Sequence, residues 1–200
     1  MKKFIYLISP QKINKNFYPK LNKVLASKNI EFFQLRLKNT QKSKIITIAN
    51  KIKVITKKFK VKLILNDRYD ILKSTQADGC HLGQSDGSVK YAKKKLKKKI
   101  VGVTCHNSKK LIKKAIYDKV DYVALGAFYP TRTKKVKFRA KIKLIKEAKK
   151  ITKIPIVAIG GINLRNYKKL LLNKANFLAI SSYIWNNKKL NPKEAINKLI

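Results

Sequence analysis

The stretch that decides the fold runs from residue 61 to residue 86 and reads VKLILNDRYDILKSTQADGCHLGQSD. Two short apolar runs, 61–65 and 79–82, each stop at a polar cluster, and the clusters contain Asp67 and Asp86. The chain has only nine acidic residues against fifty basic ones, so these carboxylates stand out. If the runs are neighbouring parallel strands, both carboxylates lie on one rim and could share a hard cation. The alternative, that each Asp caps a following helix, stays open.

Apolar runs of strand length recur along the whole chain. They cover residues 4–8, 32–37, 61–65, 79–82, 100–103, 122–128, 154–159 and 177–180. Residues 45–55, 111–115 and 142–151 carry apolar side chains at three- and four-residue steps, which indicates helices between the runs. Asn163 and Asn191, which precede Leu164 and Pro192, are typical of helix starts.

Strands that alternate with helices favour parallel pairing with right-handed crossovers. Eight such units predict an α/β fold in which residues 1–200 form a single compact (β/α)8 TIM barrel domain. A doubly wound open sheet is the alternative, because short strands are difficult to count from a sequence.

The composition favours a cytoplasmic protein without a membrane partner. Cys80 and Cys105 have no CxxC spacing, which is typical of a reduced protein and does not indicate zinc. The first residues resemble a signal peptide in charge, but the apolar run 4–8 is too short and Ser9-Pro10 follows it. No stretch approaches the ~18 apolar residues of a membrane span.

The net charge of +41 raises the question of a nucleic-acid partner. Forty-five of the fifty basic residues are lysine, whereas base recognition and bidentate phosphate contacts favour arginine. The lysines are also spread over the chain, and no aromatic residues are interleaved with arginines. We therefore expect a lysine-rich surface with weak, salt-sensitive binding to polyanions and no specific nucleic-acid partner. A basic nucleic-acid-binding protein remains the less favoured alternative, and a homo-oligomer is left open.

Polar groups follow the apolar runs, at what would be the catalytic face of a barrel. Arg36 and Lys38 are expected to share one face of the second strand. With Lys134 they would place three positive charges opposite Asp67 and Asp86. A divalent ion between the acids, with cations beyond it, describes a diphosphate site that neutralises a departing pyrophosphate.

A second anion site is expected after the last two strands. Gly160-Gly161 follows the seventh apolar run and Ser181-Ser182 follows the eighth, where this fold usually holds phosphate. Thr131 and Thr133 could add hydroxyl donors. A Gly-Gly pair alone is more often a tight turn, so the site depends on the serines as well.

The two histidines and the tryptophan have simpler interpretations. His81 alternates with apolar neighbours in a short strand, which favours a hydrogen-bonded core histidine. His106 follows a strand end and could face the site, although a role outside it is favoured. Trp185 is expected to serve packing or an interface.

Several of these blocks together resemble the thiamine phosphate synthase family, in the order of that family, from about residue 4 to residue 184. The blocks are QLRLK at 34–38, NDRYD at 66–70, DGCHLGQSD at 78–86, GVT at 102–104, DYVALG at 121–126, PTRTKK at 130–135 and VAIGGI at 157–162. The resemblance implies a transferase of thiamine biosynthesis that joins 4-amino-2-methyl-5-hydroxymethylpyrimidine diphosphate to a thiazole phosphate and releases pyrophosphate.

The resemblance also implies residue roles. The metal would be Mg²⁺, with Asp67 and Asp86 as its ligands. The pyrimidine diphosphate would be bound by Gln34, Arg36, Lys38, Asn66, Thr104 and Lys134, of which Arg36, Lys38 and Lys134 would be catalytic. The thiazole phosphate would be bound by Thr131, Thr133, Gly161, Ser181 and Ser182. The implied mechanism is dissociative: pyrophosphate leaves, a pyrimidine-methyl cation forms, and the thiazole nitrogen captures it.

The chain departs from the family pattern at a few positions. Thr104 stands where serine is usual, Asn39 where glycine is common, and Ala127 where proline is usual. Residues 136–141 keep little of the usual loop. A thiazole tautomerase or another phosphate-binding barrel is therefore the alternative. The tautomerase branch uses a histidine after the sixth-strand glycine, where this chain has Ala127.

Overall fold

The computed structural model describes residues 3–131 and 136–199, and within them eight parallel strands close into one barrel in sequence order. The strands are β1 Ile5–Ile8, β2 Ile30–Leu35, β3 Lys62–Asn66, β4 Gly79–Leu82, β5 Ile100–His106, β6 Tyr122–Gly126, β7 Ile156–Ile159 and β8 Phe177–Ile180. Strand β8 pairs with β1 and so closes the barrel. The predicted (β/α)8 fold is confirmed.

Helices connect the strands and cover the outside of the barrel. They are α1 Phe17–Leu25, α2 Lys42–Lys58, α3 Val89–Lys95, α4 Lys109–Tyr117, α5 Lys143–Ile151, α6 Tyr167–Leu172, α7 Ser182–Trp185 and α8 Pro192–Asn197. A short 3-10 helix, Tyr69–Ser74, connects β3 to β4. No helix in the described part of the chain is long and apolar enough to cross a membrane.

The core has two layers because successive strand residues face opposite sides. Ile5 and Leu7 of β1 belong to the layer between strands and helices, whereas Tyr6 and Ile8 face the barrel interior. The interior layer is completed by Phe32, Ile64, Tyr122, Ala124, Val157 and Ala179. Two tyrosines thus lie in the centre of the barrel, where their hydroxyl groups need hydrogen-bond partners.

A repeated arrangement ties the strands together at their amino-terminal ends. Asp78, Asp121 and Asn176 each directly precede an even-numbered strand. Each donates its backbone N–H to a carbonyl of the preceding odd strand and accepts the N–H of that same residue on its side chain. These polar residues therefore bind strand to strand at the end of the barrel opposite to the carboxyl ends.

Most of the predicted elements are confirmed, several strand ends differ by a few residues, and three of the wrong boundaries have an identifiable cause. Strand β2 ends at Leu35, because the N–H of Arg36 donates to the Ser9 hydroxyl and not to a neighbouring strand. Strand β6 ends at Gly126, because Ala127 pairs its N–H with the carbonyl of Phe138 in the returning loop.

The third wrong boundary is the start of α6, which begins at Tyr167 and not at Leu164. The side chain of Asn163 accepts the N–H of Arg165 and forms a local turn, which delays the helix. The predicted start at Asn191 is confirmed by a complete capping box between Asn191 and Glu194, with Pro192 in the first turn.

Candidate active site

Asp67 and Asp86 lie side by side at the carboxyl ends of β3 and β4. Their carboxyl groups are within hydrogen-bonding reach of each other, and Asn66 Nδ2 donates to Asp67 Oδ2 at 2.5 Å. Burial and the neighbouring Asp86 charge raise the pKa of Asp67 to about 6, although Arg36 opposes the shift. The rim arrangement predicted from the two apolar runs is present, and neither residue is the N-cap of the helical segment that follows it.

Local backbone geometry brings the two carboxylates together. Asp67 has a left-handed backbone with φ of 59°, and its N–H donates to the carbonyl of His81 on the neighbouring strand at 2.7 Å. Asp86 folds back so that Oδ2 accepts the Gly83 N–H at 2.9 Å. A side chain at position 83 would meet that carboxylate oxygen, so Asp86 would have to shift to accommodate one. Both acids are therefore directed at the rim by backbone contacts.

Two of the three predicted cations, Arg36 and Lys38, lie within the described residues. Arg36 lies one residue beyond β2, close enough to Asp67 to lower the pKa of that carboxyl in part. It was predicted inside the strand, and the early end of β2 instead places it at the mouth. Lys38 follows it in the same partly exposed segment. Lys134 and Thr133 lie outside the described residues.

A hydrogen-bonded chain of side chains crosses the barrel interior beneath the carboxylates. Gln34 Nε2 donates to the Tyr6 hydroxyl at 2.9 Å, and the hydroxyls of Tyr6 and Tyr122 are 2.7 Å apart. His81 Nδ1 lies 3.0 Å from the Tyr122 hydroxyl, and His81 Nε2 lies 2.8 Å from Thr104 Oγ1. The chain joins Gln34 on β2 to Thr104 on β5, two residues predicted for the same substrate.

His81 is a hydrogen-bonded core residue, as the sequence predicted. Burial lowers its pKa to about 4, so the imidazole is neutral near pH 7. His106 ends β5 and packs its ring against Phe138, at 4.6 Å between ring centroids. Trp185 packs against Phe17 and donates its indole N–H to the carbonyl of Ile8 at 2.6 Å, which agrees with a packing role.

The loops after β6, β7 and β8 meet on the other side of the mouth. The N–H groups of Phe128 and Tyr129 donate to the carbonyls of Ile159 and Gly160, so the β6 and β7 loops are joined. Gly161 has φ of 65°, and the carbonyl of Pro130 occupies the place that a side chain would need. The Gly-Gly pair is therefore a close approach of two loops as well as a turn.

The remaining candidates for a phosphate site lie around this junction. Thr131 directly follows Pro130, and Ser182 opens α7. The hydroxyl of Ser181 donates to the carbonyl of Ser9 at 3.2 Å. The structure thus places Thr131, Gly161, Ser181 and Ser182 at neighbouring strand ends, and Ser181 is hydrogen bonded to the residue that follows β1.

Three residues of the site region were not identified from the sequence. Ser9 connects three strand ends, since it bonds with Gln34 and Arg36 of the β2 segment and with Ser181. Tyr6 and Tyr122 form the middle of the interior chain. The available signal was a tyrosine in an otherwise aliphatic strand run, which does not reveal that two such residues meet across the barrel.

The fold and the site define a (β/α)8-barrel protein whose mouth carries an acidic pair and an arginine on one side and a loop junction with serines on the other. A sequence model of the family described as thiamine monophosphate synthase matches residues 5–184. On this evidence the chain belongs to the thiamine monophosphate synthase family.

Individual relatives agree with this assignment. The chain is 62% identical over 199 residues to a thiamine-phosphate synthase of Pelagibacter ubique, covering 99% of this chain and 96% of that protein. A thiamine-phosphate synthase of Rhodospirillum centenum is 35% identical over 185 residues, which is 92% of this chain and 89% of that one. The solved thiamine phosphate pyrophosphorylase of Pyrococcus furiosus has the same fold, with a TM-score of 0.87 at 24% identity over 98% of this chain and 93% of that chain. Family membership assigns this chain a thiamine-phosphate synthase activity, a transferase reaction of thiamine biosynthesis.

Proposed function

We propose that this enzyme is magnesium-dependent and joins 4-amino-2-methyl-5-hydroxymethylpyrimidine diphosphate to a thiazole phosphate, with release of pyrophosphate. The observation that carries the proposal is the pair of adjacent carboxylates, Asp67 and Asp86, beside Arg36 at the mouth of the barrel. A tautomerase or another phosphate-binding barrel would have no need of that pair, and the relatives named above are synthases.

The chemistry of the two carboxylates fits Mg²⁺. Carboxylate oxygens are the ligands that this ion prefers, and it commonly takes one or two of them together with substrate phosphates. Burial raises the pKa of Asp67 and the neighbouring Asp86 charge adds to the shift, a repulsion that a divalent cation would relieve. The described residues contain no cluster of three or more His, Cys, Asp or Glu side chains suited to a metal, so substrate oxygens would complete the coordination. When bound, Mg²⁺ would supply charge neutralisation for the leaving diphosphate.

The β2–β5 side of the mouth would bind the pyrimidine diphosphate. Arg36, Lys38 and Lys134 would contact the diphosphate, since fixed cations stabilise the charge that develops on a leaving group. Gln34, Asn66 and Thr104 would orient the pyrimidine portion with neutral hydrogen bonds.

The β6–β8 side would bind the thiazole phosphate. Glycine at 161 lets backbone approach an anion closely, and the loops after strands seven and eight are the usual phosphate position of this fold. Thr131, Thr133, Gly161, Ser181 and Ser182 are the residues proposed for this contact. The two substrates would then face each other across the mouth, as a direct transfer requires.

The described side chains favour a dissociative transfer. His81, the histidine at the floor of the mouth, is neutral and already hydrogen bonded on both ring nitrogens, so it is poorly suited to move protons. The charged groups instead surround the expected position of the diphosphate. Departure of pyrophosphate, followed by capture of the pyrimidine-methyl cation by the thiazole nitrogen, needs this charge stabilisation more than it needs a general base.

A cytoplasmic location is part of the proposal. Cys80 and Cys105 are both buried and free, which suits a reducing compartment.

The proposal is tested by assaying thiamine phosphate with both substrates, in magnesium or in excess chelator. Product should form only with magnesium, and Asp67→Asn and Asp86→Asn should each lower kcat/KM by about 100-fold or more because each removes one anionic ligand. Asp70→Asn is the matched control, because Asp70 is nearby but paired with Arg68 and Lys42. Turnover in chelator would exclude the metal role, and folded wild-type protein that makes no product with any thiazole phosphate would exclude the synthase reaction.

A further inference from the structure

The hydrogen-bonded chain inside the barrel is buried from Gln34 to His81, and only Thr104 at its other end is partly exposed. Tyr6 and Tyr122 are each 1% exposed, Gln34 is 3% exposed and His81 is 7% exposed. Room for Tyr122 comes from Gly102 on β5, because a side chain there would overlap the tyrosine ring. The Tyr122 ring also stacks on the His81 ring, with 5.6 Å between centroids and 14° between planes. Five different strands thus contribute to one connected and densely packed arrangement.

With the Gln34 amide oriented so that Nε2 donates to Tyr6, the hydrogen bonds run in one direction along this chain. Gln34 Nε2 donates to the Tyr6 oxygen, so the Tyr6 hydroxyl hydrogen needs an acceptor, and the Tyr122 oxygen is the partner within reach. The Tyr122 hydrogen is then directed at His81 Nδ1. A neutral imidazole that accepts at Nδ1 donates from Nε2, which here faces Thr104 Oγ1.

This direction determines which hydrogen-bonding groups the two end residues, Gln34 and Thr104, can offer to a substrate in the mouth. With its Nε2 engaged by Tyr6, Gln34 keeps its amide oxygen as an acceptor, and no other described residue is hydrogen bonded to that oxygen. Thr104 accepts from His81, so its own hydroxyl hydrogen is available to donate. The backbone carbonyl of Thr104 is held separately by Gln84 Nε2 at 2.6 Å, which steadies this end of β5.

We propose that Tyr6 and Tyr122 are positioning residues that orient the Gln34 amide and, through His81, the Thr104 hydroxyl toward the pyrimidine substrate. The inference rests on the proposed function, because it uses Gln34 and Thr104 as residues that bind the pyrimidine diphosphate. Neither tyrosine touches the reacting groups. Their effect is preorganisation: without them, the amide and the hydroxyl can rotate, and substrate binding must order them.

The test compares Tyr6→Phe, Tyr122→Phe and the double variant with wild type. Each change keeps the ring and removes one link of the chain. We expect each to raise the KM for the pyrimidine diphosphate by about 10-fold, the scale of one lost hydrogen bond, and to leave the KM for the thiazole phosphate within about twofold. The double variant should raise this KM more than either single change but by less than the product of the two effects, because both single changes remove the same Tyr6–Tyr122 bond.

Tyr167→Phe is the matched control, since Tyr167 is a buried tyrosine of α6 outside the barrel interior. It should change neither KM. Because KM does not depend on the fraction of folded enzyme, a loss of stability in a variant does not obscure the result.

Two outcomes would overturn the positioning role in an active enzyme: equal increases of both KM values, or additive effects in the double variant. A wild-type enzyme that makes no thiamine phosphate would overturn the proposed function itself, and with it this role, before any variant is compared.

Discussion

At the scale of single residues, Asp67 combines two features that oppose folding. Its backbone is left-handed, with φ of 59°, and its carboxyl group is half-buried beside a second carboxylate. Both features are unfavourable for folding, and both serve to hold the acidic pair at the rim. If Asp67 binds Mg²⁺ as proposed above, it is expected to destabilise the protein when the ion is absent.

Replacing Asp67 with Asn should therefore stabilise the metal-free protein. Asn tolerates a left-handed backbone and keeps an oxygen for Asn66, but it removes the repulsion with Asp86. The folded state binds the Asp67 proton more tightly than the unfolded state does, so the penalty is absent below about pH 4 and complete above about pH 6. The gain at pH 7 should be on the order of 1 kcal/mol, less than the full pKa shift implies because the carboxyl is partly exposed.

Urea denaturation in excess chelator, from pH 4 to pH 7, measures this gain as the difference between variant and wild type. The difference is informative because the lowered pKa of His81 acts in the opposite direction: the unfolded state binds that proton more tightly, so stability rises with pH between about 4 and 6.5. His81 is common to both proteins and cancels. A difference that is equal at pH 4 and pH 7 would contradict the carboxylate repulsion.

At the scale of elements, three strand pairs share one connection at the amino-terminal end of the barrel. Asp78 Oδ2 accepts the N–H of Leu63 at 2.7 Å, and Asp121 Oδ2 accepts that of Val101 at the same distance. Asn176 Oδ1 accepts the N–H of Ile156 at 2.9 Å. Each of the three also receives a lysine amine, from Lys53, Lys93 and Lys149 respectively. The repeat spans pairs β3–β4, β5–β6 and β7–β8, which identifies it as a feature of the barrel architecture.

Because Asp121 and Asn176 make the same contact, the effects of replacing Asp121 with Ala and with Asn can be predicted. Asp121→Ala leaves the buried N–H of Val101 without an acceptor and should lower the free energy of unfolding by about 1–3 kcal/mol. Asp121→Asn should be much milder, because Asn176 already performs the same role with an amide. Urea denaturation of both variants checks the difference.

The surface ion pair between Lys109 and Glu147 provides the control, and Glu147→Ala should leave stability unchanged. Equal destabilisation by Asp121→Ala and Asp121→Asn would show that the ion pair with Lys93, and not the backbone contact, is the stabilising part.

At the scale of the whole molecule, the net charge of +41 is the dominant feature. The ion pairs formed by described residues are mostly on the surface and partly exposed, and pairs of that kind contribute little. Self-repulsion among the lysines therefore opposes the compact state and is weakened by salt.

Stability should consequently rise with ionic strength. Raising NaCl from about 0.02 M to about 0.3 M shortens the Debye length from roughly 20 Å to roughly 6 Å and should raise Tm by roughly 5 °C. KCl at equal ionic strength should act in the same way, since the effect is screening. Differential scanning calorimetry measures it, and a Tm that stays constant or falls with either salt would contradict the dominance of self-repulsion.

Some parts of this fold and site could be predicted residue by residue, and others could not. The rim position of Asp67 and Asp86 was predicted because both follow apolar runs and because acidic residues are rare in this chain. Parallel strands bring their carboxyl ends to one edge, so residues that follow them lie close together. Arg36 was assigned to the mouth correctly but to the strand wrongly, since the bond that ends β2 comes from Ser9, 27 residues away in sequence. The start of α6 was missed because a side-chain turn at Asn163 competes with the helix.

The sequence by itself determined the alternation of strands and helices, the closed barrel that eight such units favour, and the set of residues at the carboxyl ends. Local periodicity and residue chemistry carry that information along the chain. Only the tertiary structure decided that Tyr6 and Tyr122 meet inside the barrel, that Asp67 and Asp86 share one charge environment, and that Asp78, Asp121 and Asn176 join strands. Those contacts join residues that are far apart in the sequence. Strand register and barrel closure decide which of these side chains meet.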